Sequence, residues 1–338
     1  MPLRVNLALQ GGGAHGAFTW GVLDRLLEDE EIEIAGISGT SAGALNGAAL
    51  KAGLLTGGRE GAKENLSWLW QQVGSIGDMR MAGWMTAFSP GPAAISQALE
   101  YSLPFSVADA ASRVFSPYYY GPFYRNPLER IARRFKYDAV CANEGPAFFV
   151  CATNVRSGKV KIFQGDEIST KSLLASACLP TLFQAVEIDG EAYWDGGYTG
   201  NPALFPLFDQ SLPDDLIIVN INPLERDEVP KDAREILNRI NEVSFNSSLL
   251  RELRAINFAS RLIAEGKVKK GAMKDVLVHM IADDALMNDL NVASKTIPTP
   301  ALILKLHEAG RRSAEQFLGA HRAKLGKQSS VDLPAMYD

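Results

Sequence analysis

Three short segments hold the residues with chemistry to offer. Gly39-Thr40-Ser41-Ala42-Gly43 has G-x-S-x-G spacing and falls between an apolar run and a small-residue-rich stretch, the strand–turn–helix setting that gives this pattern meaning. A serine on such a turn has a strained backbone and a hydroxyl held clear of the sheet, and the flanking glycines leave room for a substrate carbonyl. The helix that follows offers free N–H groups and a positive dipole end where negative charge can develop. Gly11-Gly12-Gly13-Ala14-His15-Gly16 also lies between a strand and a helix. Glycines there let backbone approach a ligand closely and aim several N–H groups at an anion. Two functions fit that loop. One is an oxyanion hole facing the serine. The other is a dinucleotide site, because Gly11, Gly13 and Gly16 satisfy G-x-G-x-x-G, with Glu31 or Glu33 somewhat early for the ribose. The third segment is Asp195-Gly196-Gly197 at the end of a strand. Alone it reads as turn chemistry, and it becomes catalytic only in company with Ser41.

These segments need a scaffold. Residues 4–9 read as a buried strand, 14–28 as a helix, 31–37 as a second strand and 42–52 as a second helix. That alternation predicts an α/β fold with a mostly parallel central sheet and helices on both faces. The pattern resumes at 147–153 and turns back through Arg156-Ser157-Gly158-Lys159; residues 169–177 follow as a helix that stops before Pro180. Residues 186–188 and 191–194 flank Asp189-Gly190, a hairpin signal. A strand at 216–221, a helix from 232 to about 266, a late strand at 276–281 and a closing helix at 300–321 complete the reading. The long helix carries Ile236, Ile240, Val243, Leu250, Leu253 and Ile256 on one stripe. Between the sheet segments, 57–136 is crowded with aromatics and prolines and reads as an insertion, a lid lining an acyl pocket. The expected organisation is one domain over 1–338, with a core at 4–222, the insertion at 57–136 and a C-terminal helical extension at 225–338.

In this order the three motifs resemble the patatin-like phospholipase family. Ala175-Ser176-Ala177-Cys178-Leu179-Pro180-Thr181-Leu182-Phe183 looks like that family's A-S-x-x-x-P-x-x-F stretch, and Asn201-Pro202 after the aspartate is a further match. The resemblance spans about residues 4–222. It implies a patatin-like fold and hydrolysis of lipid acyl esters by a Ser41–Asp195 dyad. Asp195 would take the serine proton and return it to the leaving alcohol, while backbone N–H groups of Gly11, Gly12, Gly13 and Ala42 hold the oxyanion. Water would then release the acyl-enzyme, with no cofactor and no metal. The sequence departs from the family at His15, where many members carry arginine or lysine; a histidine is largely neutral at pH 7.

Other readings share these residues. An acyltransferase or an intracellular polyester depolymerase would use the same dyad, and a nucleotide-binding protein would use the glycine loop. His279, His307 and His321 all follow Asp195, so a triad can be drawn. His279 lies in an apolar strand pattern and the other two on a helix, which gives each a structural reading.

Composition narrows the setting. The 338 residues, 46% hydrophobic and 22% charged, suit a globular chain with a core large enough to fold without disulfide or metal. A net charge of −5 gives no footprint for nucleic acid, and Lys267, Lys269 and Lys270 read as a solvated helix end. Cys141, Cys151 and Cys178 include no CxxC pair and suit reduced thiols in a cytoplasmic protein. The opening residues lack a basic region followed by an apolar stretch, and no apolar run approaches the ~18 residues that span a bilayer. Any contact with lipid is therefore expected to be peripheral, and exposed apolar lid surface would favour either membrane association or oligomerisation, between which the sequence does not decide.

Overall fold

A computed structural model of the chain describes residues 2–76 and 116–337, apart from 227, 232, 270 and 291. Apolar runs make the middle of the sheet. β1 (Leu3–Leu9) lies between β2 (Ile32–Thr40) and β7 (Asp215–Val219) and is parallel to both. β3 (Ala147–Asn154) and β8 (Leu277–Ile281) extend the parallel set on either side. β4 (Val160–Gln164), β5 (Val186–Ile188) and β6 (Glu191–Asp195) pair antiparallel beyond β3. The sheet runs β5-β6-β3-β2-β1-β7-β8, with β4 also on β3.

Both faces of this sheet are covered, as a parallel sheet requires. Val5, Leu7, Leu9, Ile217 and Val219 turn to one face, against residues of α1 (Gly16–Leu27), α2 (Ala42–Ile76) and the C-terminal helix. Ala8, Leu216 and Ile218 turn to the other, against Leu204, Leu207, Leu249, Leu253 and Ile256. The first two of those partners belong to the connection between β6 and β7, the other three to α4 (Ala233–Ala264). The remaining helices used below are α3 (Thr170–Ser176), α5 (Val292–Thr296) and α6 (Pro300–His321).

The segment after 225 is more than a helical extension, because it supplies β8 to the sheet. α6 lies along α1 so closely that their backbones meet: a Cβ on Gly21 would fall 1.9 Å from the His307 carbonyl oxygen. Arg311 pairs with Asp24 and Glu28 across this contact, and Arg25 with Glu315.

The segment set apart at 57–136 begins inside the core. α2 breaks at Gly57-Gly58 and folds back, so that Gly53 packs on Ala62, and Leu66, Leu69 and Trp70 are buried with the main cluster. Residues 77–115, nearly half of the expected lid, lie outside the described residues. Among the described residues, no helix is long and apolar enough to cross a membrane.

Register places the ends of two strands against each other. β3 pairs parallel with β2 up to Cys151↔Thr40, and the next residue, Ala152, pairs antiparallel with Asp195. β4 occupies the opposite edge of β3 at the same residues. β6 therefore continues the edge that β2 leaves, and its last residue abuts the turn after Thr40.

Candidate active site

That turn carries Ser41. Its φ of 54° lies in the left-handed region, which is costly for a residue with a β-carbon and is held only by surrounding structure. The Ser41 N–H donates to Ser176 Oγ at 2.9 Å, and the Ser176 hydroxyl donates to the Cys151 carbonyl at 2.6 Å. α3 and β3 thus fix the elbow together. Beyond it α2 starts immediately, and a Cβ on Gly43 would lie 2.1 Å from the Leu9 carbonyl oxygen. The elbow is seated on the end of β1.

Asp195 is 1% exposed and Ser41 8%. Asp195 Oδ1 accepts the Gly197 N–H at 2.8 Å. Burial pushes its carboxyl up to about 7, and hydrogen bonds from the Gly197 N–H and the Ser41 side chain oppose that rise. A carboxylate removed from water is a stronger base than a solvated one, and this one ionises near neutral pH. Tyr198 and Phe245 stack edge to face at 5.1 Å beside it, and a Cβ on Gly197 would meet the Phe245 ring at 3.0 Å. The acid therefore has an apolar flank.

The glycine loop comes to the same place. A Cβ on Gly11 would lie 2.7 Å from Ser41 Cβ. Its N–H, however, donates to Asn201 Oδ1 at 2.6 Å, and its carbonyl accepts from Asn201 Nδ2 at 3.3 Å and Asn222 Nδ2 at 2.8 Å. Gly11 is a clamped spacer, which corrects its expected place among the oxyanion donors. Gly12 caps the helical turn Gly13–His15, and Ala42 opens α2. The first N–H groups of helices lack partners within the helix.

His15 does not join the pair. It is 1% exposed, and its Nε2 lies 2.8 Å from Ser294 Oγ on α5. Burial, reinforced by the cations of Lys295 and Arg226, holds its pKa well below the usual value, so the ring is neutral. The later histidines are committed elsewhere. His279 sits between Asp215 Oδ1 at 2.9 Å and Ser330 Oγ at 3.2 Å, His307 stacks on Trp20 and reaches Asp24, and His321 packs on Phe317. Replacing His279 with alanine is expected to destabilise the protein by about 1–3 kcal/mol, since Asp215 loses a buried partner. Turnover per folded molecule should change by less than about 3-fold, so a near-complete loss in folded protein would restore the triad.

The dinucleotide reading fails on geometry. Glu33 pairs with Arg4 and Glu31 with Arg322 at the beginning of β2, the end away from the glycine loop. Gly16, the last glycine of that pattern, serves helix packing: a Cβ there would meet Ala42 Cβ at 2.6 Å.

The sequence motifs include Ser176 and Asn201 but give neither a task. They miss Gln10 and Asn222, which tie the loop ends together: Gln10 Oε1 accepts from the Ile221 N–H at 2.8 Å and from Asn222 Nδ2 at 3.1 Å. One signal does point there. Asn220 and Asn222 follow a buried, mostly apolar strand at its carboxyl end, where open α/β sheets bind ligands.

Solved structures that resemble the chain distantly include the following two. VipD from Legionella pneumophila is 14% identical with a TM-score of 0.43, the match covering 95% of this chain and 67% of that one. The ExoU–SpcU complex from the type III secretion system of Pseudomonas aeruginosa is 17% identical with a TM-score of 0.33, covering 99% and 74%. Likenesses this weak carry no functional weight. No curated protein matches the chain. A model of the patatin-like phospholipases matches residues 7–208, more than half of the chain and all three motifs, and the chain belongs to that family.

Proposed function

We propose that the protein is a serine acyl hydrolase of lipid esters, with Ser41 as nucleophile and Asp195 as its base. The observation that carries this is a serine in a strained left-handed turn, placed by strand register at the end of the strand that bears a buried carboxyl raised to about 7. Ionised Asp195 takes the hydroxyl proton as Ser41 Oγ attacks the ester carbonyl. Negative charge develops on the carbonyl oxygen, where the N–H groups of Gly12, Gly13 and Ala42 receive it. The proton then passes to the departing alcohol, and water, deprotonated by Asp195, attacks the acyl-enzyme and frees the acid.

Lipid as substrate is supported by family membership and by apolar surface around the acid. Tyr118 is 59% exposed, and its hydroxyl accepts the Ala185 N–H at 3.1 Å. Farther out, Ile236, Ile240 and Val243 stand exposed on α4, the helix that brings Phe245 to Gly197. That face suits peripheral contact with a lipid surface.

Labelling by a fluorophosphonate probe, mapped by intact mass and peptide digestion, tests the assignment. Wild-type protein should take one label on Ser41, and folded Ser41→Ala none. An unlabelled wild type, or a label elsewhere, would refute it.

A further inference from the structure

The glycine loop is backed by a charge cluster that the mechanism above does not use. α5 presses on the loop from the C-terminal half of the chain. Gly13 has a φ of +58°, and a Cβ there would lie 2.3 Å from the Lys295 carbonyl oxygen. From that point the Lys295 side chain, 17% exposed, runs inward until Nζ is 3.3 Å from Asn222 Oδ1. The same Asn222 side chain donates to the Gly11 carbonyl at 2.8 Å. One amide therefore separates a largely buried ammonium group from the loop beside Ser41.

Among the described residues, three cations, Lys295, Arg226 and Arg239, meet at Glu242, while a second carboxylate, Glu235, acts on Arg226. Glu242 is 1% exposed and is already gripped by Arg226 through two bonds of 2.6 and 2.8 Å, with Arg239 at 3.4 Å. Lys295 is a third cation on this one carboxylate, and it lies 3.7 Å away. Taking surplus positive charge out of water is unfavourable unless the site later holds negative charge. Its field reaches the loop, since Lys295 and Arg226 both help keep His15 neutral. His15 cannot supply a cation there itself.

We infer that Lys295 is a positioning residue whose charge stabilises the oxyanion formed over the Gly12–Gly13 loop, acting through Asn222 and across space without touching substrate. This rests on the proposed serine mechanism. A field at that point favours the charge that appears in the transition state, so it acts on turnover more than on substrate binding.

Lys295→Gln and Lys295→Arg separate charge from mere support, because glutamine keeps a donor for Asn222 and loses the cation. kcat and KM would be measured on two esters of one acyl chain, one neutral and one bearing a phosphate. Fluorophosphonate labelling rates would be taken alongside, with folding checked by circular dichroism. Lys295→Gln should lower kcat by about 30- to 100-fold on both esters, move KM by less than about 3-fold and slow labelling to a similar degree, while Lys295→Arg stays within about 5-fold of wild type. Should the glutamine variant not fold, Lys295→Met carries the same test. Unchanged kcat in the folded neutral variant would overturn the inference. So would a loss confined to the phosphate-bearing ester and seen in KM, which would make Lys295 a headgroup contact. A wild type that is not labelled at all removes the serine mechanism itself; a wild type labelled no faster than Lys295→Gln removes only the role of Lys295.

Discussion

Asp195→Asn is expected to lower kcat by about 10⁴-fold at pH 8 and, at that same pH, to make the protein more stable. The two effects share one cause. Asp195 is 1% exposed, and its carboxyl is raised to about 7, chiefly by burial. An unfolded aspartate titrates near ~3.9, so between that value and about 7 the folded chain holds a proton that the unfolded chain has lost. Stability therefore falls as pH rises across this window and levels off above it. Each pH unit of the window is worth about 1.4 kcal/mol, so the ionised acid costs the fold on the order of 4 kcal/mol at pH 8. Asparagine does not ionise and escapes that cost, though it cannot take the Ser41 proton either. Glu252, likewise raised to about 7 by burial, titrates in the same window. It is present in both proteins, so the difference between them isolates Asp195. Urea unfolding at pH 5 and pH 8 should show the variant gaining on wild type as pH rises from the lower value to the higher. Wild-type kcat should rise through an apparent pKa near 7, as the base becomes ionised. A variant with a tenth of wild-type turnover would end Asp195's role as base. A stability difference equal at the two pH values would end the account of its burial.

The second large effect comes from one methyl group. Gly43→Ala is expected to cost about 3 kcal/mol or more and to lower the urea midpoint by about 1 M. The added carbon would stand 2.1 Å from the Leu9 carbonyl oxygen and 2.8 Å from that of Gln10. Both atoms are backbone of the central strand and its exit, so nothing flexible can give way. Gly319→Ala on α6 is the control, because nothing lies within 4 Å of the added carbon. Alanine there should be neutral or stabilise by up to about 1 kcal/mol. Equal midpoints for the two variants would mean that α2 does not sit on the end of β1 as described.

The elbow serine and the buried acid proposed as its base are legible in the sequence because each is written in local grammar. G-x-S-x-G after an apolar run encodes an elbow, and the elbow is there at φ 54°. Asp189-Gly190 encodes a hairpin, and both residues adopt positive φ, 51° and 80°. That hairpin returns β6 so that Asp195 ends beside Ser41. The positioning residues are not legible, since their partners are remote: Gly11 and Asn201 lie 190 residues apart, Lys295 and Asn222 73. Periodicity also misjudges burial on α4. Ile236, Ile240 and Val243 have helical spacing yet are 40%, 55% and 53% exposed, because at that level the inward face is given to Glu242 and Asn246 for the polar cluster. Farther along, Leu249, Leu253 and Ile256 do reach the core. The aromatic texture from 57 onward suggests an insertion, whereas its first turns are core, since Leu66, Leu69 and Trp70 are buried in one cluster with residues of α1 and α6.

The strand order has a consequence for the nascent chain. β1 meets β2 as soon as residue 40 has emerged from the ribosome, but its other neighbour, β7, follows much later: the hydrogen bond from Ile221 back to Gln10 spans 211 residues. At about 5–20 residues per second that separation corresponds to roughly 10–40 s of synthesis. For that interval the central strand of the sheet has a bare edge and an elbow with no acid beside it. On the proposed mechanism the serine cannot act before β6 arrives, and the growing chain presents a ready template for aggregation or for a chaperone throughout the wait.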